Sequence, residues 1–476
     1  MTPTHAKTDA APFLERCFLF DATEASYEIT GISGELPGWL RGAYYVNGPA
    51  RFTRGDFHYR HWLDGDGMVC AVHFTGEGVH FVSRFAVTRK FADEASTGAP
   101  VYRCFGTAFS GDRLRYNRLL EAPANVSVYP FAGSVLAFGE QSLPVELDPL
   151  TLETRGVYDF SGSLNELSPF AAHPKIDPST GHMWNFGVSY SPSSPAVTVY
   201  EFDRQGRRLQ RRRYPLEFTH SNHDFGLSAG HAVFYLSPLL MNFDRFRAGA
   251  SVMESLSWMP ELGSRLFFAP RAGGEAFSIP VETGYCLHLI NCFERDAELV
   301  VDLIELDEPV YPEYQPVPDL FGGAFLGRPV RYYIDLNARK AVGRLAMNYD
   351  RLPDFPSIDW QLTGRLYDRF WVLGIGQAGT PGRKFFNQLA RLSWQESGLS
   401  DFYETEQGSY LGGEPVVISN PHDPHEVLVM VQRHNAAEGR TSLLIFDAFQ
   451  LSRGPVIQMP LRHRLHPGFH ACFRAT

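Results

Sequence analysis

The sequence predicts an all-β protein built as one unit, either a propeller or a large sandwich, and three observations carry this. Short runs rich in β-branched and aromatic residues, each bounded by Gly, Pro, Asn or Asp, recur along the 476 residues. With 43 Gly, 33 Pro, 14% aromatic and 20% charged residues, the chain is folded and turn-rich, and is no coiled coil, disordered tail or small cross-linked scaffold. No Gly/Ser-rich or Pro-rich linker, charge block or low-complexity run divides it. A length that suggests about three domains is therefore read as a single domain over 1–476, with 1–30 as a peripheral N-terminal extension.

Taken in order, 134–138, 231–236, 299–306, 329–336 and 427–432 read as strands. Arg204, Arg207, Arg208, Arg211, Arg212 and Arg213 surround Gly206 between apolar runs at 197–200 and 214–216, the pattern of a solvated hairpin. Runs at 426–432 and 441–446 flank Asn435-Ala436-Ala437-Glu438-Gly439 as a second hairpin would. The exception to strand is 251–262, where Val252, Leu256 and Met259 share a helical face that Pro260 interrupts. No repeat of fixed period with a known signature appears, so periodicity does not choose between propeller and sandwich.

A net charge of -10 has the wrong sign for a protein that holds a nucleic-acid backbone, so no nucleic-acid partner is expected. Cys17, Cys70, Cys104, Cys286, Cys292 and Cys472 form no C-x-x-C pair, and 1–16 lacks a basic-then-apolar signal pattern, which together predict a cytoplasmic protein. No run approaches 18 apolar residues, which leaves peripheral membrane contact open but no helical span. Gly322-Gly323 precedes no Lys-Ser/Thr, and Asp64-Gly65-Asp66-Gly67 is followed by Met68 where a calcium loop needs an oxygen donor; both read as turns.

Chemistry must come from the 17 histidines, most of which are expected to be structural. His220/His223, His422/His425 and His463/His466 mimic metal spacing, but outside a helix residues three apart do not face one another. Four histidines, His223 among them, stand in distinctive surroundings: His173 in Ala-His-Pro-Lys-Ile-Asp-Pro (172–178), His223 before Asp224-Phe225, His288 before Leu289-Ile290-Asn291, and His470 after Pro467-Gly468-Phe469. They are separated by 50, 65 and 182 positions. In a propeller with blades of roughly 40 to 70 residues such positions meet at the axis, where four imidazoles would share one ion. Taken singly, each is equally a hydrogen-bonded core histidine.

These contexts, together with Gly-Glu-Leu-Pro-Gly-Trp-Leu-Arg-Gly at 34–42, Tyr-Val-Asn-Gly-Pro at 45–49 and His-Trp-Leu-Asp-Gly-Asp-Gly-Met at 61–68, resemble the carotenoid cleavage oxygenase family from about Glu35 to the C-terminus. The resemblance implies a seven-bladed β-propeller with a loop/helix cap over non-haem Fe(II) held by His173, His223, His288 and His470. It implies outer carboxylates at Glu140, Asp354 and Glu414, which would fix the far nitrogens of the imidazoles. Asp354 departs from the Glu of many members, and one methylene less puts its contact to His288 in question. Val126 matches the position whose methyl blocks one iron site.

The implied reaction is O2-dependent scission of a C=C bond into two carbonyl products, on a hydrophobic conjugated small-molecule substrate, without a nicotinamide or 2-oxoacid cofactor. Within it, a carotenoid or apocarotenoid is set against a stilbene or phenylpropenoid of the lignostilbene or isoeugenol type. Phenol-cleaving relatives carry Lys just before the first carboxylate, where this chain has Gly139, although Tyr102 matches the tyrosine that partners that Lys. Gly139 and Leu287 replace the bulky aromatics of many carotenoid cleavers and predict a wide cavity. No motif supports the isomerohydrolase branch. A reading of another class is a non-catalytic propeller that binds lipid or protein and keeps its histidines as a structural zinc site.

Overall fold

A computed structural model describes residues 16, 20–116, 119–189, 191, 193–314, 319–321, 326–376 and 385–476. Seven antiparallel sheets follow one another along the chain as the blades of a β-propeller. Blade I is closed by both ends of the chain: Ala471–Ala475 pairs with Gly42–Arg51, which continues through Asp66–Phe74 and Val79–Phe85 to Ala25–Glu28. Each of the other six has four strands in sequence order, beginning at Ser127–Phe131 (II), Lys175–Ile176 (III), Gly226–Leu227 (IV), Tyr285–Arg295 (V), Asp354–Ser357 (VI) and Ser409–Ser419 (VII). Most of these first strands, with Ala471–Ala475 in blade I, touch the corresponding strand of a neighbouring blade and so surround the axis. Pairing of the C-terminal strand with Gly42–Arg51 completes blade I and so closes the ring.

The strand sequences follow from blade stacking. A strand covered on both faces must be apolar throughout rather than alternating. Ser134–Phe138 is wholly buried, and His231–Leu236 is buried except at His231. Apolar side chains of facing blades form continuous clusters, such as Phe186, Phe225, Phe234 and Phe267 between blades III and IV. At the rim the demand reverses, and Arg208–Pro215, the outer strand of blade III, is mostly solvent-exposed. The arginine hairpin is this strand paired with Ala196–Phe202, turning at Gly206 with φ of 79°. The hairpin of Val427–Asn435 and Arg440–Asp447 also forms.

Four expectations change. Residues 251–262 are not one helix: Val252–Ser255 makes a single turn, Leu256–Trp258 then pairs as a strand with Leu239–Met241, and Pro260–Leu262 is a 3-10 turn. Here pairing with a neighbouring strand outweighs a three-residue helical stripe. The N-terminal extension stops short of residue 25, because Ala25–Glu28 is the outer strand of blade I. The helix Arg89–Thr97, capped by the Thr88 side chain and by Gly98 at φ 65°, has no counterpart in the pattern reading. Its Lys90 is fully buried between Asp66 (3.0 Å) and Glu94 (2.9 Å). The Asp64–Gly67 segment is more than a turn: Asp64 ends a 3-10 turn and accepts bonds from Gly106 N (2.9 Å) and the Thr107 hydroxyl (2.6 Å), while Asp66 opens a strand. A Cβ at Gly67 would lie 2.2 Å from the Ala124 carbonyl oxygen, so only glycine permits this approach. Gly322, Gly323 and Cys17 lie outside the described residues.

Candidate metal centre

Every blade contributes one group to the axis. His470 precedes the inner strand of blade I, His173 that of III and His223 that of IV, while His288 lies within the inner strand of V. Blade II supplies Glu140 just beyond Ser134–Phe138, blade VI Asp354 and blade VII Glu414. The four histidines each offer a ring nitrogen within 4.8 Å of all the others. Three carboxylates sit behind them. Asp354 Oδ1 is 2.6 Å from His288 Nδ1, Glu140 Oε1 is 2.5 Å from His223 Nδ1 in an ion-pair contact not aligned as a hydrogen bond, and Glu414 Oε2 is 3.4 Å from His470 Nδ1. His173 is the histidine without such a partner, with Asp224 at 3.9 Å and itself committed to Lys175 at 2.8 Å.

Local irregularities aim these side chains. The ladder of Tyr285–Arg295 slips between Cys286 and Leu289 and again before Asn291, so His288 sits on a bulge. Asp354 and Glu414 lie at similar slips in Asp354–Ser357 and Ser409–Ser419. An extra residue breaks the strict alternation of faces and re-aims a side chain that would otherwise follow its neighbours into the blade core. Phe355, at φ 51°, packs its ring 5.5 Å from that of His288 and 5.2 Å from that of His470.

The donor set fits a divalent transition-metal ion. With the Nδ1 atoms of three rings turned to carboxylates, the Nε2 atoms face inward: those of His173 and His223 approach to 2.8 Å, and the buried Nε2 of His288 has no hydrogen-bond partner. Burial holds His173 well below the ordinary histidine range, helped by the three neighbouring imidazoles, and it lowers His470 despite Glu414. Neutral imidazoles are what a metal requires. For His223 burial pulls downward, but the Glu140 carboxylate outweighs it and the net shift is upward.

His223, His288 and His470 open onto a cavity enclosing about 840 Å³, part of it open to solvent. Its walls include Val126, Leu287, Phe105, Tyr314, Phe355 and Phe469. The last three also border a second space of about 500 Å³ lined by Trp62, Phe321, Phe385, Phe386 and Tyr410. The two spaces share Tyr314, Phe355 and Phe469 as a common wall.

Residues 20–475 match the family model described as retinal pigment epithelial membrane protein. The chain belongs to the carotenoid cleavage oxygenase family. It is 28% identical over 472 residues to apocarotenoid-15,15'-oxygenase of Synechocystis sp., covering 95% of this chain and 94% of that protein. It is 29% identical over 466 residues to isoeugenol monooxygenase of Pseudomonas putida (93% and 94% covered), and 27% over 464 to lignostilbene-alpha,beta-dioxygenase isozyme III of Sphingomonas paucimobilis (92% of each). The crystal structure of cobalt-substituted Synechocystis ACO superposes with a TM-score of 0.90 at 26% identity, over 98% of this chain and 99% of that one.

Against this family background the remaining sequence expectations divide. Val126 and Leu287 line the cavity, and the Val126 carbonyl accepts from His470 N at 3.3 Å. Gly139 does not widen it: an added Cβ would lie 2.8 Å from Ala122 Cβ and 3.1 Å from Ala124 N, so that chain segment already fills the space. Tyr102 is absent from the cavity wall and donates its hydroxyl to Asp93 at 2.5 Å. Of the paired histidines, His220 is tied to the Ser237 carbonyl (2.8 Å) and His466 to that of Phe20 (3.1 Å). Glu121 and Phe355 escaped the sequence reading. A Phe at positive φ carries no sequence signal, and one acidic residue in an apolar stretch, Leu119-Leu120-Glu121-Ala122-Pro123, was the available clue to the other.

Proposed function

We propose that this chain is a non-haem Fe(II) dioxygenase that cleaves a C=C bond of a carotenoid or apocarotenoid into two carbonyl products, with His173, His223, His288 and His470 as the iron ligands. The observation that carries this is a four-histidine cluster, three of whose rings line a largely apolar cavity. When bound, iron would supply the redox chemistry that lets dioxygen react with a closed-shell alkene. Alkene plus O2 balances to two carbonyls, so no proton donor, nucleophile or external reductant is needed. Glu140, Asp354 and Glu414 fix ring orientation and tautomer. Val126, Leu287, Phe355 and Phe469 bound the space beside the histidines with apolar surface.

The largely apolar, aromatic cavity wall favours a hydrophobic conjugated substrate, and the filled space at Gly139 and the committed hydroxyl of Tyr102 weigh against the lysine and tyrosine phenol contact of stilbene cleavers. The stilbene and isoeugenol reading rests on relatives of similar identity, 29% and 27% against 28%. A structural zinc site would be closed on all sides, whereas three of these histidines line a cavity. Residues 239–262 are the surface we assign to contact with a membrane that holds the substrate. Met253 N donates to the carbonyl of Phe105, a cavity-wall residue, at 2.9 Å, and Leu262, Arg245 and Arg247 are exposed nearby in the chain. Among the described residues no helix is long and apolar enough to cross a bilayer.

Metal analysis after anaerobic purification, with O2 uptake and product masses from a panel of carotenoids, apocarotenals and stilbenes, tests the proposal. Near-stoichiometric iron and paired carbonyl products from polyenes are expected. Stoichiometric zinc without turnover would overturn it, and cleavage of stilbenes alone would establish the alternative substrate.

A further inference from the structure

We propose that Glu121 is a substrate-recognition residue whose carboxylate accepts a hydrogen bond from a hydroxyl group at one end of the alkene substrate. This rests on the alkene-cleaving reading above and specifies the chemistry of one substrate end. Glu121 lines the cavity onto which His223, His288 and His470 open, and is only 8% exposed. Its Oε2 is buried and has no hydrogen-bond partner. A buried carboxylate oxygen without a donor is costly, and a ligand that brings one recovers that cost on binding.

The surroundings define the missing donor. Arg115 Nε and Arg89 Nη1 lie 3.8 and 3.9 Å from Glu121 Oε2, close enough to balance its charge but beyond hydrogen-bond distance. Arg89 is engaged with the Glu166 carboxylate at 2.9 Å and Arg115 Nη2 donates to the Glu166 carbonyl at 3.1 Å, which holds the otherwise unpaired Arg115 Nε short of a hydrogen bond to Glu121. An ammonium ligand would therefore meet two positive charges, whereas a neutral hydroxyl supplies the donor without adding charge. Away from the histidines and Glu140, two polar side chains on the same wall are already used. The Asn125 amide donates to the carbonyls of Leu63 (2.9 Å) and Gly65 (2.7 Å), and the Cys104 thiol to that of Tyr102 (3.5 Å). Burial raises the Glu121 carboxyl above the ordinary range against the pull of both arginines, consistent with an under-satisfied group.

Glu121 also stands five residues before Val126, whose carbonyl is bonded to His470 N. An extended chain advances roughly 3.4 Å per residue, so the two Cα atoms are at most about 17 Å apart. A hydroxyl anchored at Glu121 would thus fix how far along the substrate the histidines meet a double bond, turning one hydrogen bond into positional selectivity.

The test compares apocarotenals with and without a ring hydroxyl, matched in chain length. Dissociation constants are measured on the iron-loaded enzyme under anaerobic conditions, where substrate binds without turnover, by quenching of tryptophan fluorescence. The wild type should bind the hydroxylated compound about 10- to 100-fold more tightly, the range for a hydrogen bond to a charged group. Glu121→Leu should abolish this preference by weakening that compound alone, and Glu121→Gln, which preserves shape, should leave an intermediate preference at unchanged iron content. Equal affinities in the wild type, or a preference that survives in Glu121→Gln and Glu121→Leu, would overturn the assignment; should the Leu variant fail to fold, an undiminished preference in the Gln variant suffices. Failure of the parent reading shows separately, as no O2-dependent cleavage of either compound whatever their affinities.

Discussion

Removing the carboxylate behind His288 gives the sharpest check on how the centre is held. Asp354 Oδ1 accepts from His288 Nδ1 at 2.6 Å and from Phe355 N at 2.9 Å, and Asp354 and His288 are only 3% and 4% exposed. The missing methylene thus leaves no gap, since the shorter side chain starts from a strand edge that already reaches the ring. Asp354→Ala orphans two buried donors at about 1–3 kcal/mol each, so stability should fall by roughly 2–6 kcal/mol. Loss of the ring's orienting partner should weaken iron binding by about 10- to 100-fold. Asp354→Asn keeps an acceptor for both donors and removes only the charge, so its thermal midpoint should stay near wild type while iron affinity drops about 10-fold. Asp354→Glu must fit an extra methylene into a filled site, at about 1–3 kcal/mol. The assay is anaerobic competition for Fe(II) against a chelator, alongside thermal unfolding. An Ala variant with wild-type iron affinity would refute the reasoning and show that packing against Phe355 alone orients His288.

Three further outcomes are expected. Gly139→Lys should lower stability by about 1–3 kcal/mol through its clash with Ala122, with partial recovery in the Ala122→Gly background; an unchanged thermal midpoint would show that the wall yields freely. His61 is held neutral, its pKa lowered to about 4 by burial, with Nε2 bonded to the Tyr311 carbonyl and Nδ1 accepting from Leu63 N. The unfolded chain takes up a proton near pH 6.5 that the native state refuses, so this contribution to stability is lost as pH falls from 6.5 towards 4, by about 1.4 kcal/mol per unit. Denaturant unfolding of His61→Gln at pH 6.5, 5.5 and 4.5 should show a shallower slope, and an unaltered slope would contradict the assignment. Phe246 is buried with the Arg103 guanidinium 5.3 Å from its ring centre, so Phe246→Ser should destabilise the fold by about 3 kcal/mol or more, whereas Phe243→Ser with Leu262→Ser should leave folding intact and reduce liposome binding. Liposome binding equal to wild type in that double variant would remove 239–262 as the membrane-facing surface.

The sequence by itself determined the class of fold and the identity of the four histidines. Strands buried between blades must be apolar on both faces, and so 134–138 and 231–236 announce themselves as short apolar runs bounded by turns. The surroundings of His173, His223, His288 and His470 were distinctive enough to single them out from 17. What the sequence did not contain was distance. Whether residues 50, 65 and 182 positions apart meet depends on ring closure by Ala471–Ala475 against Gly42–Arg51, a pairing between opposite ends of the chain. Tertiary contact likewise overrode the local helical stripe at 251–262 and placed Ala122 where Gly139 had suggested open space. The bulges that turn His288, Asp354 and Glu414 towards the axis arise from pairing with the neighbouring strand, and no periodicity encodes them. Glu121 gained its meaning last, because an acidic residue in an apolar stretch becomes a recognition group only when the fold buries its oxygen beside a cavity and holds both nearby arginines just out of reach.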